Sequence, residues 1–293
     1  MKTKGPALTI GGVFCAWLLA SSAGHAQTLF ATFINTTYEF TPAGGESTFV
    51  SSVPGNLLAF GPNGDLFMSE LNNILEFTPG GVQSTFFAGT GAFTGIAFDN
   101  AGDLFSANHN NSDVYEFTPD GVQSIFATGV SGAEGIAFNS AGDLFVSGGN
   151  QSGYIDEFTP GGVQTTFTTA VDNPLGLAFN SAGDLFEADA DSGNIYEFTP
   201  SGVRSTFASG LPDVTALAFN NTGDLFAGVG NHGDDIYEFA PNGAESIFAT
   251  GVSAIGLAFQ GETLPVPEPS EYALIGLGLV VLVTRLFKNT ETA

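Results

Sequence analysis

Residues 94–129 read TGIAFDNAGDLFSANHNNSDVYEFTPDGVQSIFATG, and this stretch decides the fold. It contains four short runs rich in aliphatic, β-branched and aromatic residues, and clusters of Gly, Pro, Asn and Asp separate them. Such punctuation predicts four strands joined by turns, and no run has a helical period.

The same pattern recurs along most of the chain at a spacing of about 40 residues. Six Glu-Phe pairs mark the register, and they end at Phe40, Phe77, Phe117, Phe158, Phe198 and Phe239. The phrase Gly-Asp-Leu-Phe occurs five times, starting at Gly64, Gly102, Gly142, Gly183 and Gly223. Four strands in a repeat of this length predict one blade of a β-propeller.

The last copy stops after Phe259, without a second strand. Residues 28–31, 38–42 and 47–49 supply the three missing strands from the other end of the chain. One C-terminal and three N-terminal strands therefore complete a sixth blade, and this closure removes exposed sheet edges. The sequence predicts an all-β, six-bladed propeller over residues 27–265.

Phenylalanine recurs on every strand of the quoted copy, at Phe98, Phe105, Phe117 and Phe126. Stacked blades need a continuous apolar layer, and one Phe buries about 150–250 Å². We interpret these rings as the core between blades, and the alternative is an aromatic binding stripe.

Residues 1–26 have the pattern of a secretory signal peptide. Lys2 and Lys4 precede an apolar core, and Gly24-His25-Ala26 offers small residues for cleavage. The single cysteine, Cys15, lies inside this segment, so disulfides would not contribute to the exported domain.

The other end contains Pro267-Glu268-Pro269, then an apolar run with a predicted helix over 272–287, then Arg285 and Lys288. Residues 266–293 resemble the PEP-CTERM sorting signal, although the basic cluster is thin. That resemblance implies recognition by exosortase, a membrane protease-transpeptidase of Gram-negative bacteria whose targets are often tied to exopolysaccharide. It also implies transient anchoring in the membrane through the helix, then release to the envelope or extracellular matrix. An ordinary single-span anchor is the alternative.

Charge excludes several partners. The chain has 30 acidic and five basic residues, and Arg204 is the one basic residue within 27–265. Nucleic acid and anionic lipid are therefore not expected partners of the domain, because no basic surface exists to neutralise phosphates. The carboxylates could attract divalent cations.

The blade pattern resembles NHL and gluconolactonase-like propellers, best over Asp184–Tyr196. This resemblance implies a divalent metal at the central channel, held by residues just before the innermost strands. Those positions hold Asn56, Thr94, Glu134, Leu175, Thr215 and Ile255. Hard cations usually take six or more oxygens, so this ring is poor in ligands. Glu134 with Asn56 is the candidate pair for a weak Ca²⁺ or Mg²⁺ site, and the alternative is a solvated channel-mouth carboxylate.

Virginiamycin-lyase-like propellers are a related class that uses His and Glu with magnesium. His109 and His232 lie in loops without metal-ligand spacing, so we interpret both as exposed loop histidines. Among the divergent loops, Asp189, Asp191 and Asn194 form the best local cluster for calcium. The Asp of each Gly-Asp-Leu-Phe is expected to be a turn device that bonds nearby backbone amides, because it repeats in five blades.

The sequence thus favours an exported, non-catalytic propeller that binds polysaccharide or envelope proteins. The alternative is a divalent-metal-dependent lactonase-like hydrolase or lyase with a degenerate central site.

Overall fold

The computed structural model of the chain describes residues 27–149, 152–230 and 235–261. Within these ranges every helix or strand element is a β-strand, so this part of the chain offers no apolar helix of membrane-spanning length. The predicted signal peptide and sorting signal, with its helix over 272–287, lie outside the described residues.

The described strands form six antiparallel four-stranded sheets, the blades. Blade 1 contains β1 (Leu29–Phe33), β2 (Thr36–Phe40) and β3 (Glu46–Ser51). Blade 2 contains β4 (Leu58–Phe60), β5 (Leu66–Ser69), β6 (Asn73–Phe77) and β7 (Gln83–Ala88). Blade 3 contains β8 (Phe93–Phe98), β9 (Leu104–Asn108), β10 (Asp113–Phe117) and β11 (Gln123–Thr128).

Blade 4 contains β12 (Ile136–Phe138), β13 (Leu144–Gly148), β14 (Tyr154–Phe158) and β15 (Gln164–Thr168). Blade 5 contains β16 (Pro174–Phe179), β17 (Leu185–Asp189), β18 (Asn194–Phe198) and β19 (Arg204–Ser209). Blade 6 contains β20 (Val214–Phe219), β21 (Leu225–Val229), β22 (Asp235–Phe239) and β23 (Glu245–Thr250). The last strand, β24 (Gly256–Phe259), joins blade 1.

The predicted closure of the ring is confirmed. Strand β24 pairs with β1, with Leu29 opposite Phe259 and Ala31 opposite Leu257. Blade 1 therefore has the strand order β24-β1-β2-β3, with its inner strand from the C-terminal side and three strands from the N-terminal side. The two sides of the chain hold each other, so the ring cannot open without breaking this strand pair.

The phenylalanines form the core between blades, as predicted. Phe105 of blade 3 packs edge-to-face on Phe138 of blade 4, with ring centroids 5.0 Å apart. Phe126 and Phe158 form a second contact across the same seam at 6.0 Å. Because an edge-to-face pair stabilises beyond the area that it buries, each seam is reinforced by ring geometry.

Glycine lies near the start of the inner strand in four of the six blades, where the blades approach closely around the channel. The backbone N–H of Gly95 donates to the Glu134 carbonyl at 2.6 Å. A Cβ on Gly135 would lie 2.0 Å from the Leu175 carbonyl oxygen, a distance that no side chain can adopt. Packing therefore requires glycine at Gly95 and Gly135, whereas blades 2 and 6 have Leu57 and Ala216 at the equivalent position.

The repeated Asp of Gly-Asp-Leu-Phe is a turn device, and its partner differs from the predicted one. In blade 4 the Asn139 Oδ1 accepts the backbone N–H groups of Ala141 and Asp143. The Asp143 carboxylate instead accepts the Asn139 side-chain amide at 3.0 Å. The same Asn–Asp pair occurs in blades 5 and 6, at Asn180–Asp184 and Asn220–Asp224. In these three blades the asparagine side chain accepts the backbone N–H groups, and the aspartate orients the asparagine.

Candidate functional site

Six residues at or near the start of the inner strands meet around the central channel. Together with Leu57 and Gly135 they line a cavity of about 190 Å³. We call these six residues the channel ring: Asn56, Thr94, Glu134, Leu175, Thr215 and Ile255. A metal role for Glu134 and Asn56 stays a prediction.

Polar side chains of the channel ring are bonded to neighbouring blades. The Thr94 hydroxyl donates to the Ala133 carbonyl at 2.9 Å, and the Thr215 hydroxyl donates to the Ala254 carbonyl at 3.0 Å. The Asn56 amide donates to the Phe93 carbonyl at 3.3 Å. These bonds run from one blade to the next around the ring, so they hold the blades together.

Glu134 has a partner that the sequence analysis missed. His109 follows β9, and its Nδ1 lies 2.7 Å from Glu134 Oε1 across the seam between blades 3 and 4. At this distance the Glu134 carboxylate attracts the His109 ring when the ring is protonated, so the two side chains can form an ion pair across the seam. His109 lies in a turn and 40% of its side chain is exposed, in line with a loop histidine, but the sequence analysis did not predict its contact with Glu134. His232 lies outside the described residues.

The signal for this pair was present in the repeat. A residue just after the second strand and a residue just before the next inner strand lie at the same end of adjacent blades. Burial raises the pKa of the Glu134 carboxyl, and His109 opposes that rise through its charge and hydrogen bond. The pair therefore has the residue types of a general acid–base site at the channel mouth.

The predicted calcium loop of blade 5 is held mainly by its own backbone. Asp189 is fully buried, and its two oxygens accept the N–H groups of Asp172 at 2.7 Å and Ser192 at 2.9 Å. Asp191 accepts the Asn173 amide at 3.0 Å. Over the described ranges, no group of three or more His, Cys, Asp or Glu is arranged to hold a metal ion. Calcium binding by Asp189 and Asp191 stays a prediction.

A second and larger cavity lies on blade 4. Its volume is about 850 Å³, and its lining includes Ser131, Tyr154, Asp156, Thr166, Asp172 and Asp191. We call it the blade 4 cavity. Sequence reasoning missed it, although the repeat is altered here. In blades 3, 5 and 6 an Asp or Asn stands two residues before a Tyr, whereas blade 4 has Tyr154 first and Asp156 second.

A third departure from the repeat is Glu187 on β17. The equivalent positions hold Ala31, Met68, Ser106, Val146 and Ala227. Glu187 is fully buried, and neither side-chain oxygen has a hydrogen-bond partner among the described residues. Burial, with Asp189 second, raises the pKa of Glu187 to about 9, so it is a neutral acid at neutral pH.

Comparisons with known proteins support the fold alone. No family model matches the chain, and no curated protein sequence matches it. Many solved structures are similar in fold, and the three described below share 17–20% sequence identity with this chain. A chain from a crystal structure of a nidogen–laminin complex has a TM-score of 0.73 at 17% identity, covering 82% of this chain and 99% of that one.

Two of the similar structures are bacterial enzymes. A gluconolactonase from Xanthomonas campestris has a TM-score of 0.61 at 18% identity, covering 68% of this chain and 77% of that one. A virginiamycin B lyase from Staphylococcus aureus has a TM-score of 0.59 at 20% identity, covering 75% and 78%. The resemblance to gluconolactonase-like and virginiamycin-lyase-like propellers is thus confirmed at the level of fold.

Proposed function

We propose that the protein is an exported, non-catalytic binding module of the cell envelope or extracellular matrix. One observation carries this proposal: the polar members of the channel ring are bonded between blades, and two other members are aliphatic. The ring supports the fold where related enzymes would need free ligands. Its cavity of about 190 Å³ is also below the range of about 300–1,000 Å³ that is usual for ligand pockets.

Charge limits the partners of this module. With 30 acidic residues against five basic ones, the chain repels acidic polymers and favours neutral or cationic surfaces. Exopolysaccharide and envelope proteins are the proposed classes. A similar fold in a chain of a nidogen–laminin complex supports the view that this shape suits protein binding.

The proposed route to the envelope rests on Pro267-Glu268-Pro269 and the apolar run behind it. An exosortase-type enzyme would recognise this segment, and the helix would hold the chain in the membrane until processing. The test is fractionation of a host that encodes an exosortase. Replacing Pro267, Glu268 and Pro269 by Ala should retain the chain in the membrane fraction, whereas the same change at Thr290–Thr292 should not. Equal release of both variants would refute sorting by this motif.

A second candidate function is favoured by the His109–Glu134 contact. A carboxyl and an imidazole in contact at a channel mouth suit general acid–base catalysis on a lactone, with Ca²⁺ or Mg²⁺ as the candidate ion. The test is turnover of D-glucono-1,5-lactone and virginiamycin B by the purified chain with millimolar Mg²⁺. The binding proposal predicts no turnover. Turnover that Glu134→Gln and His109→Gln each abolish would establish the enzyme instead.

A further inference from the structure

Blade 4 departs from the repeat at a position where the other blades have a large side chain. Asp156 on β14 corresponds to Tyr38, Leu75, Tyr115, Tyr196 and Tyr237. In blade 3 the Tyr115 hydroxyl contacts Asp113, and in blade 5 the Asn194 amide donates to the Tyr196 hydroxyl. In blade 4 the order is reversed, and the Tyr154 hydroxyl donates to the Ser131 carbonyl at 2.9 Å. The reversal replaces a ring by a small acid at the wall of the blade 4 cavity.

Asp156 is buried but incompletely bonded. Its exposed fraction is 4%, and its Oδ2 accepts the Gln164 side-chain amide at 2.8 Å. Its Oδ1 has no hydrogen-bond partner among the described residues. An unmade hydrogen bond on a buried acceptor costs about 1–3 kcal/mol, so such a group is usually retained for a ligand or water. Gln164 fixes the orientation of the carboxyl group at the wall of the cavity, and Oδ1, which has almost no accessible surface, is left without a partner.

The other residues that line the blade 4 cavity indicate which class of ligand it could bind. Hydroxyl groups of Ser131, Thr166 and Ser192 line the cavity together with the carboxylates of Asp172 and Asp191. None of the described residues that line it is basic, so its carboxylates would repel an anionic ligand. A metal ion is disfavoured because, within the described ranges, these carboxylates do not form a group that could hold one. The cavity therefore suits an uncharged ligand with many hydroxyl donors.

We propose that the blade 4 cavity binds an uncharged saccharide unit, with the Asp156 carboxylate at its wall accepting a hydrogen bond from a sugar hydroxyl. The volume of about 850 Å³ is within the range of small-molecule sites. This inference deepens the proposed binding function, because it assigns that function a site and a ligand class.

The test is calorimetric titration of the purified full chain with maltohexaose, cellohexaose and laminarihexaose, and with hexagalacturonate as the anionic counterpart. At least one neutral hexasaccharide should bind, and hexagalacturonate should not. Asp156→Asn keeps the size of the side chain but presents an amide to either Gln164 or the sugar, so it should weaken binding about tenfold or more. Asp113→Asn is the matched control, because Asp113 lies on β10, the strand of blade 3 that corresponds to β14, and does not line the cavity.

A double variant tests the reversal directly. Tyr154→Asn with Asp156→Tyr restores the arrangement of blade 5, fills the cavity and should abolish binding while the thermal transition is retained. If this double variant unfolds, saccharide binding by Asp156→Asn alone tests the site. Binding that survives in both variants would refute this site and leave the binding function standing. Absence of binding to every neutral hexasaccharide would refute the saccharide assignment, while the fractionation experiment would still test the envelope function separately.

Discussion

The channel ring and the blade 4 cavity draw on the same segment between blades 3 and 4, yet they use it differently. Glu134 belongs to the ring, and Ser131 lines the cavity. In the ring, Thr94, Thr215 and Asn56 donate to carbonyls of the next blade. In the cavity, Asp156 keeps one acceptor without a partner. Positions that repeat hold the propeller together, and positions that depart from the repeat are the candidates for recognition.

The largest effect is expected where the channel packs most closely. Gly135→Ala would place a Cβ 2.0 Å from the Leu175 carbonyl oxygen, so blades 4 and 5 must move apart. We expect a loss of about 3 kcal/mol or more in unfolding free energy, measured by urea denaturation. Gly80→Ala is the control, because the nearest atom to its added Cβ lies 3.9 Å away. Equal stability of the two variants would mean that the ring is not tightly packed.

Glu187 differs from both the channel ring and the blade 4 cavity, because it departs from the repeat but lines neither cavity. Its pKa is about 9 in the folded chain against an ordinary value of 4.5, so the folded state binds the proton more tightly than the unfolded state. The stabilising contribution of the Glu187 proton to the unfolding free energy is complete below pH 4.5. It is lost as pH rises towards 9, by up to about 1.4 kcal/mol per pH unit.

Glu187→Met, which introduces the residue found at Met68 in blade 2, should remove this dependence. Its unfolding free energy at pH 7 should exceed that of the parent by up to about 3 kcal/mol, with little difference at pH 4.5. Urea denaturation at pH 4.5, 7 and 8.5 measures the effect. Glu197→Gln, on the next strand of blade 5, is the control. Parallel pH profiles for parent and Glu187→Met would show that Glu187 is ionised in the fold.

A smaller effect is expected from the ring hydroxyls. Thr94→Val and Thr215→Val remove one inter-blade hydrogen bond each and leave a carbonyl without that donor. We expect a loss of about 1 kcal/mol for each, seen as a lower urea midpoint. Binding of any neutral hexasaccharide should be unchanged, because these residues do not line the blade 4 cavity. A parallel loss of binding would contradict the separation of the two regions.

Sequence reasoning recovered what repeats. The register of Phe40 through Phe239 fixed the number of blades, and the missing strand after Phe259 predicted the closure. The members of the channel ring could also be predicted, because one position before each inner strand must face the channel. Side-chain contacts between blades could not be predicted. His109 and Glu134 lie 2.7 Å apart although 25 positions separate them in the chain. The hydrogen-bond partners of Asp156 and Glu187 could not be predicted either, because they depend on the direction in which each side chain points.

Thermal unfolding of the full chain in EDTA, and then with millimolar Ca²⁺ or Mg²⁺, tests most directly whether the channel ring is structural. An ion that binds the folded state raises the melting temperature. The account predicts that neither ion binds the ring, so any shift in melting temperature should be the same for the parent chain and for Glu134→Gln. A rise of several degrees that Glu134→Gln abolishes, and that Asp189→Asn leaves intact, would contradict the account and make the channel a metal site.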